Sequence, residues 1–197
     1  MDPRTQATQA AVFTAVTHLI LRGGIPAVTL SAVCQAAKIS KGGLMHHFPT
    51  KEAMVHAFVS RSCDECIAQT RQSLAHIKPG EGRRTLAYID RMLRQPAMCH
   101  VEDDGELSAV MIALTQGSFT DIGLRYYETL HRELRNDGVP RAIVNLVLTT
   151  IDGLWFQSTC VPVETVEKLA RQLRGQLRRV VDVALKEKQQ QLLGITP

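Results

Sequence analysis

Residues 29–54 read TLSAVCQAAKISKGGLMHHFPTKEAM, and the reading of this run decides the fold. Thr29 is placed as an N-cap, its hydroxyl able to accept from a backbone N–H that a new helix leaves unpaired. Leu30, Val33 and Ala37 then recur on one face of a short helix. Lys38-Ile39-Ser40 forms a turn, and Ser40 caps a second short helix over Lys41 to His47. Leu44 and Phe48 lie four apart and face inward. Pro49 ends this helix, because the residue before a proline is pushed out of the α region. Thr50 caps the next helix, with Glu52 in its first turn where the dipole favours an acid. Two short helices joined by a tight turn are the outline of a helix-turn-helix, which sets its second helix in the major groove of DNA.

The residue types fit that geometry. Ala32, Ala36 and Ala37 are small enough for two helices to cross, while Leu30, Val33, Ile39, Leu44 and Phe48 supply the shared core. The outer face of the second helix is then Lys41, Gly42, Gly43, Met45, His46 and His47. Glycines permit close backbone approach to a groove. Thr29 and Ser40 stand at helix N-termini, where hydroxyls and the dipole both suit phosphate. Lys41 and Lys51 flank the groove as phosphate or base partners. His46 and His47 do not read as a metal pair, since neighbours on a helix point different ways.

These residues carry a resemblance. Thr29, Val33, Ala37, Ile39, Ser40, Lys41, Gly42, Leu44, His46, His47, Phe48, Lys51 and Glu52, with the core SKGxLxxHF followed by KE, resemble the N-terminal domain of the TetR (TetR/AcrR type) family of transcriptional repressors. The likeness spans about residues 8–60. It implies a homodimer, an all-α C-terminal ligand-binding domain and release from a palindromic operator when a ligand binds. Two positions depart from the family pattern. Lys38 stands where the turn usually has glycine, and a non-glycine residue at positive φ costs about 1 kcal/mol. Met45 stands where a phosphate-touching tyrosine is common, leaving His46 and His47 to take part of that role.

The rest of the chain reads as helices. Ala10, Phe13, Val16, Thr17, Ile20 and Leu21 mark one over residues 5–23, stopped by Gly23-Gly24. Met54, Val55, Phe58, Val59 and Ile67 carry another from Thr50 to about Ile77, before the linker Lys78-Pro79-Gly80-Glu81-Gly82. Amphipathic helices follow over Arg83 to Arg94 and Asp121 to Asn136, with an apolar one over Leu107 to Phe119 between them. Residues 96–104 read as a loop holding Glu102-Asp103-Asp104. Arg141 to Cys160 is apolar all round, which predicts burial on more than one side. After Pro162, Val166, Leu169, Ala170, Leu173, Leu177, Val180, Val181 and Ala184 repeat at helical spacing, opposite Arg171, Arg174, Arg178 and Arg179. The fold class expected is therefore all-α. A three-helix helix-turn-helix domain covers residues 1–53, a helical ligand-binding and dimerisation domain covers 54–197, and a helix over 50–77 connects them. The resemblance places the homodimer on the two C-terminal helices, about residues 141–160 and 163–188.

Composition sets bounds. Of 197 residues 45% are hydrophobic and 5% aromatic, and no alternating β-branched run is long enough for a sheet. The net charge of +4 is compatible with nucleic acid but does not establish it. The polar start MDPRTQ does not read as a signal peptide, and no apolar run approaches the ~20 residues that span a bilayer, so a cytoplasmic protein without membrane contact is expected. Five cysteines, Cys34, Cys63, Cys66, Cys99 and Cys160, show no framework spacing and are expected as thiols. Cys63 and Cys66 form a lone CxxC, read as two small residues on a helix face against a redox pair; a zinc site would need two further ligands. No cofactor and no metal are expected.

For an effector, Asp152 lies inside the apolar run IDGLWF, and Phe119, Tyr126, Tyr127, Trp155 and Phe156 lie on neighbouring helices. An acid among aromatics favours a cationic, partly apolar ligand, which would fit control of an efflux gene. The alternative is a structural Asp152 bonded to an arginine or to backbone near Gly153. Competing readings of the whole chain are a DNA-binding accessory protein whose helical domain holds a protein partner, and an enzyme. No phosphate loop, HExxH or GxSxG supports the enzyme. Glu102, Asp103, Asp104 and Glu106 could gather round a divalent cation, but a solvated loop explains them better.

Overall fold

The computed structural model describes residues 3–94, 105–158 and 160–194, and every regular element among them is a helix. They are α1 (Pro3–Ala27), α2 (Leu30–Ala37), α3 (Lys41–His47), α4 (Lys51–Leu74), α5 (Arg83–Arg94), α6 (Glu106–Gln116), α7 (Thr120–Glu133), α8 (Arg141–Ser158) and α9 (Val163–Leu192). The segment read as a loop over 96–104, with Cys99 and Glu102-Asp103-Asp104, lies outside the described residues.

Boundaries shift where tertiary partners intervene. The glycine stop of α1 is a break at Gly23 and Gly24, with Gly24 at φ 67°. A Cβ on Gly24 would sit 2.5 Å from Gln116 Oε1, the oxygen that accepts from the Ile25 N–H at 2.8 Å. A side chain 91 residues away thus holds the break. Helix α6 stops at Gln116 rather than Phe119, and α7 ends at Glu133 before Asn136, which adopts φ 62°. Helix α1 also corrects one expectation. Residues 4–27 are long and apolar enough to cross a membrane by length and composition. Their Val12, Phe13, Val16 and Ile20 are buried in a protein core, as in the central helix of a packed unit.

The chain forms two compact units. The first takes residues up to 65 together with 98–124. Its core joins Val12, Val16 and Ile20 of α1 to Val33, Leu44, Phe58 and Val59, and to Ala109, Val110 and Ala113 of α6. Packing therefore groups α6 and the start of α7 with the helix-turn-helix. Arg61 of α4 secures this arrangement. Its guanidinium lies 4.8 Å over the Phe13 ring and makes two hydrogen bonds to Glu106 at 2.6 and 2.7 Å. Ser62 donates to the same carboxylate. Glu106 is thereby engaged within the protein rather than in an acidic cation cluster.

The second unit takes residues 66–97 and 125–197. Tyr88, Ile89 and Leu93 of α5 pack with Leu130, Val147, Leu148, Ile151, Leu154, Ala170 and Leu177. Two carboxylates order it. Asp137, 1% exposed, accepts from the N–H groups of Gly80, Arg84 and Thr85 and from the Thr85 hydroxyl, at 2.8–3.2 Å. It caps α5 from the distant α7–α8 corner. Asp90 of α5 accepts from Arg174 at 2.7 Å and Arg178 at 2.6 Å, so half of the expected basic face of α9 is spent on packing. Burial alone would raise the Asp90 carboxyl, but the two guanidinium groups outweigh it and hold the group below the usual carboxylate range.

Candidate nucleic-acid interface

The local rules read in residues 29–54 produce a rigid mount for one exposed helix. Thr29 Oγ1 accepts from Ala32 N–H at 3.1 Å, Ser40 Oγ from Gly43 N–H at 3.0 Å, and Thr50 Oγ1 from Ala53 N–H at 3.0 Å. Because each hydroxyl oxygen accepts in its cap, its O–H remains a donor for an outside group such as phosphate. Lys38 ends α2 in the left-handed region, φ 54° and ψ 43°, the conformation its place in the turn demands. Val33 and Leu44 are fully buried and Phe48 nearly so, with the Phe48 ring 5.6 Å from Phe13. The inner face of α3 is thus fastened to α1.

Its outer face is open. Lys41, Gly42, Gly43, Met45 and His46 are exposed, and His47 is half-buried with its ring 5.4 Å from that of His46 and 6.3 Å from that of Phe48. Thr29 and Ser40 are exposed, and Lys51 is half-buried in the first turn of α4. The two glycines differ. A Cβ on Gly42 would meet nothing within 4 Å, whereas one on Gly43 would lie 3.2 Å from Ser40 Oγ. Gly43 serves the cap, while no contact within the chain requires glycine at 42. A mixed polar, cationic and apolar helix face with a bare backbone at its N-terminal end has the chemistry for phosphate contact and base-edge contact together.

The residues read as an effector pocket divide between the units. Phe119 belongs to the first, its ring 6.3 Å from that of His56. The other five belong to the second. Tyr127 donates its hydroxyl to the Asp152 carboxylate, so the partner of this acid is a phenol rather than an arginine or backbone group. Burial pushes the Asp152 carboxyl up, and the Tyr127 hydrogen bond only partly opposes it. The Tyr126 ring lies 5.5 Å from that of Tyr127, and its hydroxyl lies 3.5 Å from Cys66 Sγ. Trp155 is half-buried against the second core and Phe156 is 50% exposed. Sequence reading missed Tyr88, whose phenol burial drives far above its ordinary value, with further upward contributions from Cys66 and Asp152. A hydroxyl on the apolar face shared with Ile89 and Met92 was the available signal. Among the described residues no cluster of histidine, cysteine and carboxylate could hold a metal, and Cys34, Cys63, Cys66 and Cys160 are thiols.

Comparison with known proteins agrees with this architecture. Residues 13–58 match the model of bacterial regulatory proteins of the tetR family, and residues 82–182 match that of the tetracyclin repressor-like C-terminal domain. The chain belongs to the TetR family of bacterial regulatory proteins. It is 25% identical over 117 residues to the HTH-type transcriptional regulator UidR of Escherichia coli K12, covering 59% of this chain and 55% of that one. It is 28% identical over 109 residues to the HTH-type transcriptional regulator CymR of Pseudomonas putida, covering 55% and 51%. The matches thus span about half the length of these curated relatives. The fold also resembles that of Salmonella enterica GusR, with a TM-score of 0.64 and 18% identity over 94% of this chain and 98% of that one.

Proposed function

We propose that this protein is a cytoplasmic, ligand-responsive repressor that binds a palindromic operator as a homodimer. The observation that carries the reading is α3: its inner face is locked by Leu44 and Phe48, and its outer face offers Lys41, Gly42, Met45 and His46 to solvent. Residues 1–53 serve as the DNA-reading domain and 54–197 as the domain for effector and partner. Lys41 reads a base edge or a phosphate, Thr29, Ser40 and Lys51 meet phosphates, and Gly42, Gly43, Met45, His46 and His47 line the groove. The effector lies in the second unit beside Tyr126, Tyr127, Asp152 and Trp155, and a cationic, partly apolar molecule suits a carboxylate among aromatic rings. Such an effector fits a repressor of an efflux gene.

Binding of the purified protein to palindromes in the DNA flanking its own gene tests the reading. Retention on one palindrome and release by cationic amphiphiles support it; no sequence-selective retention at moderate salt contradicts it. Lys41→Ala lowers operator affinity by about 1–3 kcal/mol if Lys41 reads a base, and by less, with a shallower salt slope, if it meets phosphate. Unchanged binding removes Lys41 from the interface.

A further inference from the structure

A cavity of about 490 Å³ opens within the first unit, between the end of α1, the first turns of α4 and the α6–α7 connection. Apart from Phe119, none of the residues read as an effector pocket lines it; Tyr126, Tyr127, Asp152 and Trp155, proposed above for the effector, belong to the second unit. Its apolar wall is Ile25, Ala53, Val55 and Phe119. Its charged rim is balanced. Lys51 and Glu52 are adjacent and opposite in sign, and His56 meets Asp121 at 3.1 Å. Hydrogen-bonding capacity remains at the Ser118 hydroxyl and at the Gln116 amide nitrogen, since Gln116 Oε1 is taken by Ile25 N–H.

We propose that this cavity is a second small-molecule site, for a neutral, mostly apolar compound with one hydrogen-bond acceptor. The volume falls in the range of small-ligand pockets, and apolar walls with a few placed polar groups are their usual lining. Neutrality follows from the rim: Lys51 and Glu52 cancel in sum and His56 is held by Asp121, so the rim offers no net charge to offset the desolvation of a charged ligand. The position gives the site its consequence. Lys51, Glu52 and Ala53 form the first turn of α4, which follows α3 after only Phe48, Pro49 and Thr50. An occupant in contact with that turn and with Phe119 fixes the support of the DNA-reading helix from inside its own unit.

The test uses the full chain, isotopically labelled, with 2-naphthol as probe and 2-naphthoate and 2-naphthylmethylammonium as its charged counterparts. The expected result is saturable movement of the amide signals of Ile25, Ala53, Ser118 and Phe119 with 2-naphthol. Ser118→Trp at the exposed mouth and Ala53→Leu on the opposite wall each weaken this binding about tenfold or more by calorimetry, and the charged counterparts bind weaker by a similar factor. The proposal is overturned by any of three results. The movements are absent or confined to residues 126–127 and 152–155, both filled variants bind as the parent does, or either charged counterpart binds as tightly as 2-naphthol.

Discussion

A Cβ built on Gly42 meets nothing within 4 Å, while one on Gly43 crowds the Ser40 oxygen at 3.2 Å. Glycine inside a helix is destabilising by about 0.5–1 kcal/mol relative to alanine. Gly42→Ala is therefore expected to raise unfolding free energy by about that amount in urea melts while lowering operator affinity, because the added methyl stands on the face proposed to meet the groove. A gain in both measurements would show that position 42 does not face DNA. Asp152 presents a similar trade. Burial raises its folded carboxyl above the value it has unfolded, so the folded state holds the proton more tightly. The resulting cost is fully present at pH above the raised value and disappears as pH falls below the ordinary carboxylate range. Asp152→Asn, which keeps an acceptor for Tyr127, accordingly raises Tm at pH 7.5 by about 2–4 °C and much less at pH 4. A drop in Tm at pH 7.5 would mean that the charged pair is stabilising. A carboxyl held at such a cost inside an apolar helix is the kind of perturbed group that supports the effector site proposed for Asp152.

Asp137 does for α5 what Ser40 does for α3, but from 52 residues away. Both of its oxygens accept from the first turn of α5, and its own carbonyl accepts from Gly82 N–H at 2.7 Å. Removing it leaves several buried donors unpaired at about 1–3 kcal/mol each. Asp137→Ala therefore costs about 3 kcal/mol or more, and hydrogen exchange at Thr85 and Arg84 accelerates before exchange in the rest of the second unit. Uniform acceleration would show that α5 does not open by itself. The contrast between the two caps shows what the amino-acid order made legible. The hydroxyl caps of Thr29, Ser40 and Thr50 and the strained Lys38 turn are decided within four residues, and the bounds of α2, α3 and α5 are readable from the sequence. Long-range polar partners are not decided that way. Periodicity marks which face of a helix is apolar, but nothing local tells Asp90 to meet Arg174 and Arg178, Gln116 to hold Gly24, or Tyr127 to answer Asp152. The same limit explains α6. Its apolar run predicted a buried helix but did not indicate that Ala109, Val110 and Ala113 would pack beneath the helix-turn-helix. It also explains why Phe119 was grouped with aromatics of the other unit.

The apolar surface left uncovered by the single chain bears on assembly. Helix α8 buries Val144, Val147, Leu148, Ile151 and Leu154 against its own unit, so its all-round apolar character is only half used. Leu146, Thr149, Gly153 and Phe156 remain exposed at spacings of three and four, forming a second stripe, with Leu146 at 45% and Phe156 at 50%. Val183, 52% exposed, adds apolar surface on α9. Gly153 sits within the α8 stripe, and a Cβ there would meet nothing within 4 Å of this chain. A small residue between two large apolar ones suits close approach of a helix from a second copy, and a two-fold axis would set the two stripes against each other. The homodimer proposed above places α8 and α9 at its contact, with two recognition helices spaced for successive major grooves, about 34–36 Å apart. Gly153→Arg puts a charge in the centre of that contact without touching the folded protomer. It is expected to sediment as a monomer at micromolar concentration, to remain fully helical, and to bind a full palindrome no better than a half-site. The parent, by contrast, is expected to show a Tm that rises with protein concentration, because dimerisation stabilises only the folded chain. If Gly153→Arg still sediments as a dimer, the α8 stripe is not at the contact and the partner surface lies elsewhere on the second unit.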